Sequence, residues 1–345
     1  MLHYLKDDLD LIFHNTKEVW GDLKDSTIFL TGGTGFFGLW LLMSFIFVNR
    51  KLELNSKMII LTRNKSNFLS KHKWVLEYPE ISFLEGDVNN FKFIDAPVDY
   101  IIHAATDASI KLNDEQPLVM FETIVNGTKR ILDFAKLKEV KSFLLTSSGA
   151  VYGKQPSDIQ NISEDYLGSP VISDSNSMYA EGKRIAEVLC ASYYKLFNLP
   201  VKIARCYAFI GPFLALDAHF AAGNFIKNLL DNEDIIIKGD GTPHRSYMYS
   251  ADLVIWLWTI LFNGKDNNPY NVGSNHSISI AQLADYVSQE SVDRDINVII
   301  KTPLSGKDTL RYVPNVDKAL NELNLKIYTD INTSIKKTIH FNRIF

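Results

Sequence analysis

The chain has 345 residues, 46% hydrophobic and 22% charged, enough for one large buried α/β unit with a smaller attached lobe. Its formal net charge is −4. The charges are mixed in sign with no Lys/Arg block, which excludes nucleic acid and an anionic membrane as main partners. The two cysteines, Cys190 and Cys206, offer no disulfide framework and suit a reducing compartment.

Residues 1–25 predict an amphipathic helical extension with Leu5, Leu9, Ile12 and Phe13 on one face. The opening MLHYLKDDLDLIF carries early acids and lacks the basic and apolar regions of a signal peptide, so a cytoplasmic protein is expected. A strand over Ser26–Gly32 leads through a glycine-rich turn into the apolar run Phe36–Val48. That run is too short for a membrane span of ~20 residues and reads as a buried helix. Further strands are predicted at Lys57–Asn64, Ile81–Val88 and Asp99–Ala105, with continuous apolar runs typical of a parallel sheet covered on both faces.

A helix over Asn113–Leu137 precedes the strand KSFLLTSS. A second, around SMYAEGKRIAEVLCASYYKLF, precedes VKIARCY. Strands alternating with helices at this spacing predict a Rossmann-type, doubly wound parallel sheet. The divisions expected are a helical extension over 1–25 and a dinucleotide-binding domain over 26–205. A smaller α/β substrate lobe over 206–345, partly interleaved with the Rossmann domain, completes the chain. Its short strands are DIIIKG and NVIIK, its turns GDGTP and GKDNNP.

TGGTGFFG places Gly32, Gly35 and Gly38 three apart, after a strand and opening a helix. The first permits a tight turn, the second lets backbone approach a pyrophosphate, and the third allows close helix–strand packing. The pyrophosphate then lies over the helix N-terminus, where N–H groups and the dipole favour negative charge. The second strand ends Leu61-Thr62-Arg63-Asn64 without the acid that binds ribose hydroxyls in NAD sites. Arg63 is suited to a 2′-phosphate, so NADP is favoured over NAD, the alternative being a solvated loop cation. Asp87 is placed to accept from the adenine amino group, or to form a turn after Gly86.

Tyr179 and Lys183 stand four apart on a predicted helix and share a face. A nearby ammonium favours phenolate and moves the tyrosine toward what an acid/base near neutral pH needs. The lysine can also hold the nicotinamide ribose. One strand upstream, Thr146, Ser147 and Ser148 put hydroxyls at a strand end, with Ser148 the candidate to hydrogen-bond the reacting substrate oxygen. A capped strand end is the plain alternative for Ser147.

These motifs, in the order TGGTGFFG, GDV, HAAT, SSGAVYG, YAEGK, RCYAFIGP, GDGTPHRSYMY, YNVGS and an arginine near Arg311, resemble the extended short-chain dehydrogenase/reductases. The resemblance is to their NAD-dependent epimerase/dehydratase group acting on sugar nucleotides, and runs from Ser26 to about Tyr312. It implies that Ser148, Tyr179 and Lys183 are catalytic. It implies a cofactor site that adds Phe36, Phe37, Val88, Ala104, Ala105 and Thr106 to the residues above. Arg245 and Arg311 would grip the substrate's diphosphate, as suits bidentate guanidinium chemistry, with Asn224, Phe225 and Ile226 contacting the nucleotide. It further implies a homodimer through the two long helices and a role in making cell-surface polysaccharide sugars. No metal is expected.

Two departures stand out. Arg205 is followed by Ala208, where many members have asparagine. Between Ser148 and Val151 lie Gly149 and Ala150, where 4,6-dehydrating members place Asp-Glu. Eliminating water needs an acid and a base that these side chains lack, unless Asp107, His219 or Glu181 substitutes. Dehydration is therefore disfavoured, and redox chemistry at C4, as a 4-keto reductase or 4-epimerase, is expected, with a dehydratase or decarboxylase on the same scaffold the alternative. A non-catalytic dinucleotide sensor would not need Ser148, Tyr179 and Lys183 together. An apolar flavonoid or steroid substrate would have no use for two buried arginines.

Overall fold

The computed structural model describes residues 1–106, 115–217, 220–292, 294–303 and 309–345. Asp107 and His219, and the first two residues of the helix expected from Asn113, lie outside them. The chain forms two compact units. The first comprises 1–151, 170–205 and 254–270, and the second 152–169, 206–253 and 271–345.

The first unit is built on strands β1 (Thr27–Thr31), β2 (Lys57–Thr62), β3 (Ile81–Glu85), β4 (Tyr100–His103), β5 (Ser142–Ser148) and β6 (Val201–Cys206). With Pro269–Val272 they form a seven-stranded sheet whose order begins β3-β2-β1-β4-β5-β6. The pairings from β3 through β5 are parallel, with Thr31 opposite Leu61 on one side and His103 on the other. Every residue of β1 and β5 is buried, which explains their unbroken apolar runs. The order reverses beside β1, and in such sheets ligands bind beyond the carboxyl ends of the strands at that point.

Helices at Phe36–Lys51, Pro117–Lys138 and Met178–Phe197 belong to this unit. The first has buried side chains from Gly38 through Ile46, and no described helix is long and apolar enough to cross a membrane. The N-terminal extension is a helix at Lys6–Asn15 followed by a 3₁₀ helix at Lys17–Leu23. It buries Leu5, Leu9, Ile12 and Phe13, and its Trp20 ring lies 4.9 Å from that of Trp258. The indole N–H of Trp258 in turn donates to Ser44 Oγ at 2.9 Å. Cys190 and Cys206 are buried and form no disulfide.

The second unit has a core of its own, in which Phe225, Ile226 and Leu229 of the Ala221–Leu230 helix pack with Ile235, Ile237, Leu283 and Ile335. Its strands are two or three residues long. Ile278–Ser279 pairs antiparallel with His244–Arg245, and Arg311–Tyr312 pairs parallel with the same short strand.

His103 ties the centre of the sheet to its covering helix. Its Nδ1 is 2.8 Å from Thr31 Oγ1 on β1, and its Nε2 is 3.2 Å from Thr128 Oγ1 on the Pro117–Lys138 helix. Burial, with the Lys183 charge adding to it, pushes its pKa down to about 3. The unfolded chain takes up that proton near pH ~6.5, whereas the folded chain refuses it until far lower pH. Stability from this group is therefore full above pH ~6.5 and falls by about 1.4 kcal/mol per pH unit below it. We predict that His103→Asn lowers stability at pH 7 but removes this part of the acid slope. Urea unfolding of both proteins from pH 5 to 8 checks it, and parallel slopes would refute the role of His103.

Candidate active site

The turn after β1 is shaped by atoms that exclude a side chain. Gly32 has φ +70°, and a Cβ there would lie 2.4 Å from the Ala104 carbonyl oxygen at the end of β4. A Cβ on Gly38 would meet the Gly32 carbonyl oxygen at 2.3 Å, so the helix packs directly on the turn. Gly35 caps the helix, and a Cβ on it would find only the Gly32 oxygen, at 3.5 Å. The N–H groups of Phe36, Phe37 and Gly38 open a sixteen-residue helix whose first helical bond is from Leu39 N to Gly35 O. This is a cradle that fits a pyrophosphate, with the helix N–H groups and dipole at one end and no side chain on Gly32, Gly35 or Gly38.

Around the cradle, Arg63 is exposed just past β2 and forms no ion pair among the described residues. Glu85, across from Thr62 on β3, accepts from Lys65 N at 3.1 Å. Asp87 accepts from Asn89 N at 2.9 Å through Oδ1, so it does shape a turn, and Val88 beside it is buried. Ala104, Ala105 and Thr106 continue from β4, partly exposed. Ala105 N donates to Thr31 Oγ1 at 3.1 Å, joining this segment to β1.

The Met178–Phe197 helix presents Tyr179, half-buried against the core, and Lys183, 3% exposed. Lys183 Nζ donates to Thr106 Oγ1 and to the Thr146 carbonyl oxygen, each at 2.7 Å. A buried ammonium needs such partners, and they come from β4's end and from β5. Thr146 Oγ1 donates to the His103 carbonyl oxygen at 3.2 Å, and Ser147 Oγ donates to Glu187 at 2.5 Å. Ser148, at the last position of β5, accepts from Ala150 N at 3.1 Å. Thus all three strand-end hydroxyls are engaged by the protein's own frame, Thr146 and Ser147 as donors and Ser148 as an acceptor.

Gly149 and Ala150 lie in a 3₁₀ turn at Gly149–Tyr152. Glu181, a candidate to replace the missing acid/base, is instead 3.5 Å from Arg184 in a partly exposed pair. Arg205 is held by Glu187 through Nη2 at 2.7 Å. In the second unit, Arg245 and Arg311 sit on neighbouring strands, with Arg311 opposite His244. Both are half-buried, and neither forms an ion pair among the described residues. The Arg245 guanidinium lies 5.8 Å from the Tyr312 ring centre. Asn224 is half-buried, but the Phe225 ring is in the core, so a ligand would meet only backbone there.

Sequence reasoning did not single out His103, Thr128 or Glu187. Glu187 had a signal in its spacing, four residues after Lys183. His103 had none beyond its place in HAAT, because Thr31 and Thr128 are distant in sequence.

Known proteins resemble the chain over most of its length. UDP-glucuronic acid decarboxylase 6 of Arabidopsis thaliana is 31% identical over 293 residues, covering 85% of this chain and 81% of the relative. The dTDP-D-glucose 4,6-dehydratase of Dictyostelium discoideum is 29% identical over 281 residues, 79% and 63% of the two chains. In fold, the chain is similar to the UDP-glucuronic acid 4-epimerase of Bacillus cereus in complex with UDP-glucuronic acid and NAD. That likeness has TM-score 0.75 and 21% identity, and covers 92% of this chain and 100% of that one. Residues 28–273, from β1 through the last strand of the large sheet, match one family model, and the protein belongs to that family, the NAD dependent epimerase/dehydratases.

Proposed function

We propose that the protein is a nicotinamide-dependent enzyme of nucleotide sugars that acts at the sugar C4, as a 4-keto reductase or a 4-epimerase. The observation that carries this reading is the buried Lys183 ammonium, pinned by Thr106 and Thr146 on the same helix face as Tyr179. The bound nicotinamide supplies a hydride acceptor or donor for C4. Tyr179 takes the proton from the C4 hydroxyl, or returns it, with Lys183 favouring the phenolate. Ser148, whose Oγ already accepts from Ala150 N, donates to the same substrate oxygen. Arg245 and Arg311 hold the diphosphate, and the nucleotide meets Asn224 and the backbone of Phe225. We also propose a role in making cell-surface polysaccharide sugars in the cytoplasm.

A second reading is favoured by the decarboxylase relative. Oxidising C4 of a sugar bearing a C6 carboxylate makes a β-keto acid, which loses carbon dioxide to leave a C4–C5 enolate. This takes up a proton at C5, and the hydride returned to C4 restores the cofactor, with no hydroxyl to be eliminated from C6. Gly149 and Ala150 are compatible with that outcome, whereas dehydration would need groups they lack. We further propose NADP over NAD, on the exposed Arg63 and the absence of an acid at β2's end, although the family is described by NAD. The likeness of Leu118, Leu137, Val188 and Leu196, each more than 60% exposed on the two long helices, supports a homodimer that covers them.

Four measurements test these readings. Incubating the protein with nucleotide sugars and either cofactor should give net cofactor consumption for a reductase. An isomer without net consumption means an epimerase, and a mass loss of carbon dioxide means a decarboxylase. On the substrate so found, Tyr179→Phe should lower turnover roughly 100- to 10,000-fold with cofactor binding intact, and Ser148→Ala should lower it less. Near-normal turnover in Tyr179→Phe would sink the proposed chemistry.

Binding measurements separate the two arginine roles. Arg245→Ala should weaken nucleotide-sugar binding roughly 10- to 150-fold, the loss of a charge-assisted contact, and leave cofactor affinity unchanged. Arg63→Ala should do the reverse, reducing the preference for NADP over NAD. Equal wild-type affinities for the two cofactors would refute the NADP reading. Sedimentation should show a dimer that Val188→Asp with Leu196→Asp dissociates, and a concentration-independent wild-type monomer would end the homodimer proposal.

A further inference from the structure

One helical turn past Lys183, Glu187 joins three elements. Its carboxylate accepts from Ser147 Oγ at 2.5 Å, from Arg205 Nε at 3.0 Å and from Arg205 Nη2 at 2.7 Å. The Glu187 and Arg205 side chains are only 12% and 15% exposed. Ser147 immediately precedes Ser148 at the end of β5, and Arg205 lies near the end of β6. The chemistry proposed above uses neither member of this pair.

The pair has an electrostatic consequence. Residues four apart on a helix are neighbours, so the Glu187 charge sits beside the Lys183 ammonium. Both charges act on the Cys190 thiol in opposite directions. Alone, Glu187 would cancel part of the field by which Lys183 favours a phenolate at Tyr179. Arg205, bonded to it, cancels Glu187 instead.

We propose that Glu187 and Arg205 are positioning residues, a charge-balanced pair that preserves the Lys183 field at Tyr179 and anchors Ser147 so that Ser148 keeps its register. This rests on the reading of Tyr179 as the acid/base. The other groups around Lys183 and Glu187 contribute little charge. His103, from β4, is kept neutral by burial. The Cys190 thiol is pushed up by burial and stays protonated, and Thr106 and the Thr146 carbonyl are uncharged. Glu181 and Arg184, on the same helix, pair with each other. On the facing Pro117–Lys138 helix, Asp133 is engaged by Lys129 and Tyr193.

The signs differ for the two partners. Glu187→Gln leaves the Arg205 cation unbalanced and should lower the pH at which Tyr179 ionises. Arg205→Met leaves the Glu187 anion and should raise it. Eight residues of helix separate Tyr179 from Glu187, about 12 Å, so each change should be about half to one pH unit. The double variant should return to the wild-type value, since a neutral, well-packed replacement of a buried ion pair is commonly tolerated.

The experiment is an ultraviolet difference titration of tyrosine in the protein saturated with its preferred cofactor, the Tyr179→Phe titration being subtracted to isolate one phenol. Opposite displacements in the single variants, restored in the double variant, are expected, with cofactor affinity within about twofold of wild type. Displacements of the same sign, or none, with cofactor affinity kept would overturn the proposal while leaving Tyr179 as the acid/base. Should Arg205→Met fail to fold, Glu187→Gln against the double variant decides the sign alone. Tyr179→Phe with near-normal turnover would overturn the catalytic reading and this proposal with it.

Discussion

The Lys183 ammonium is enclosed in the first unit at 3% exposure, and its surroundings are organised by the need to keep it charged. An isolated ammonium in an apolar interior would lose its proton, so it must be met by oxygen atoms at hydrogen-bond distance. Those oxygens are the Thr106 hydroxyl and the Thr146 carbonyl, which fixes where the end of β4 and the strand β5 stand against the helix. His103, buried on the adjacent strand, then has to remain neutral, because a second cation there would be opposed by the first. The Thr31 and Thr128 hydroxyls satisfy its ring without a proton being added.

The cradle at the start of the Phe36–Lys51 helix obeys a different constraint, which is space. At Gly32 and Gly38 any side chain would run into backbone atoms within 2.5 Å, and backbone cannot yield as a flexible side chain can. The helix end is thereby brought down onto the turn with its N–H groups presented together. Electrostatics at one end of β5 and sterics at the end of β1 are independent devices, placed on neighbouring regions of one parallel sheet. The second unit is made differently, from short strand pairs around an aliphatic core, and its two arginines on adjacent strands are supported by local pairing rather than by a large sheet.

The chemistry available follows from which side chains are already occupied. Thr146 and Ser147 spend their hydroxyls on the frame, and Arg205 is turned to Glu187. Gly149 and Ala150 add no titratable group after Ser148. In the proposed chemistry the proton is carried by the Tyr179 phenol, one helical turn from the Lys183 ammonium. That arrangement suits oxidation or reduction at an alcohol carbon, and any later step, such as loss of carbon dioxide, that the resulting ketone makes easy.

Much of this was legible in order along the chain. Unbroken apolar runs in β1, β2 and β5 mark strands buried on both faces, and the three-residue spacing of Gly32, Gly35 and Gly38 marks the turn, because these are local requirements of backbone geometry. The four-residue spacing of Tyr179 and Lys183 likewise follows from the helical period, and the amphipathic extension is visible in Leu5, Leu9, Ile12 and Phe13. The strand ends were drawn too long, with Arg63 and Asp87 falling just beyond β2 and β3, since apolar pattern does not mark where ladder bonds stop. Tertiary structure alone decided the rest. That Lys183 finds Thr106, that His103 lies between Thr31 and Thr128, and that Glu187 takes Ser147 and Arg205 depend on residues 18 to 77 positions apart. Burial there changes the energy of a charge by more than any local propensity, and which partners share that burial is set only when the sheet and its helices close.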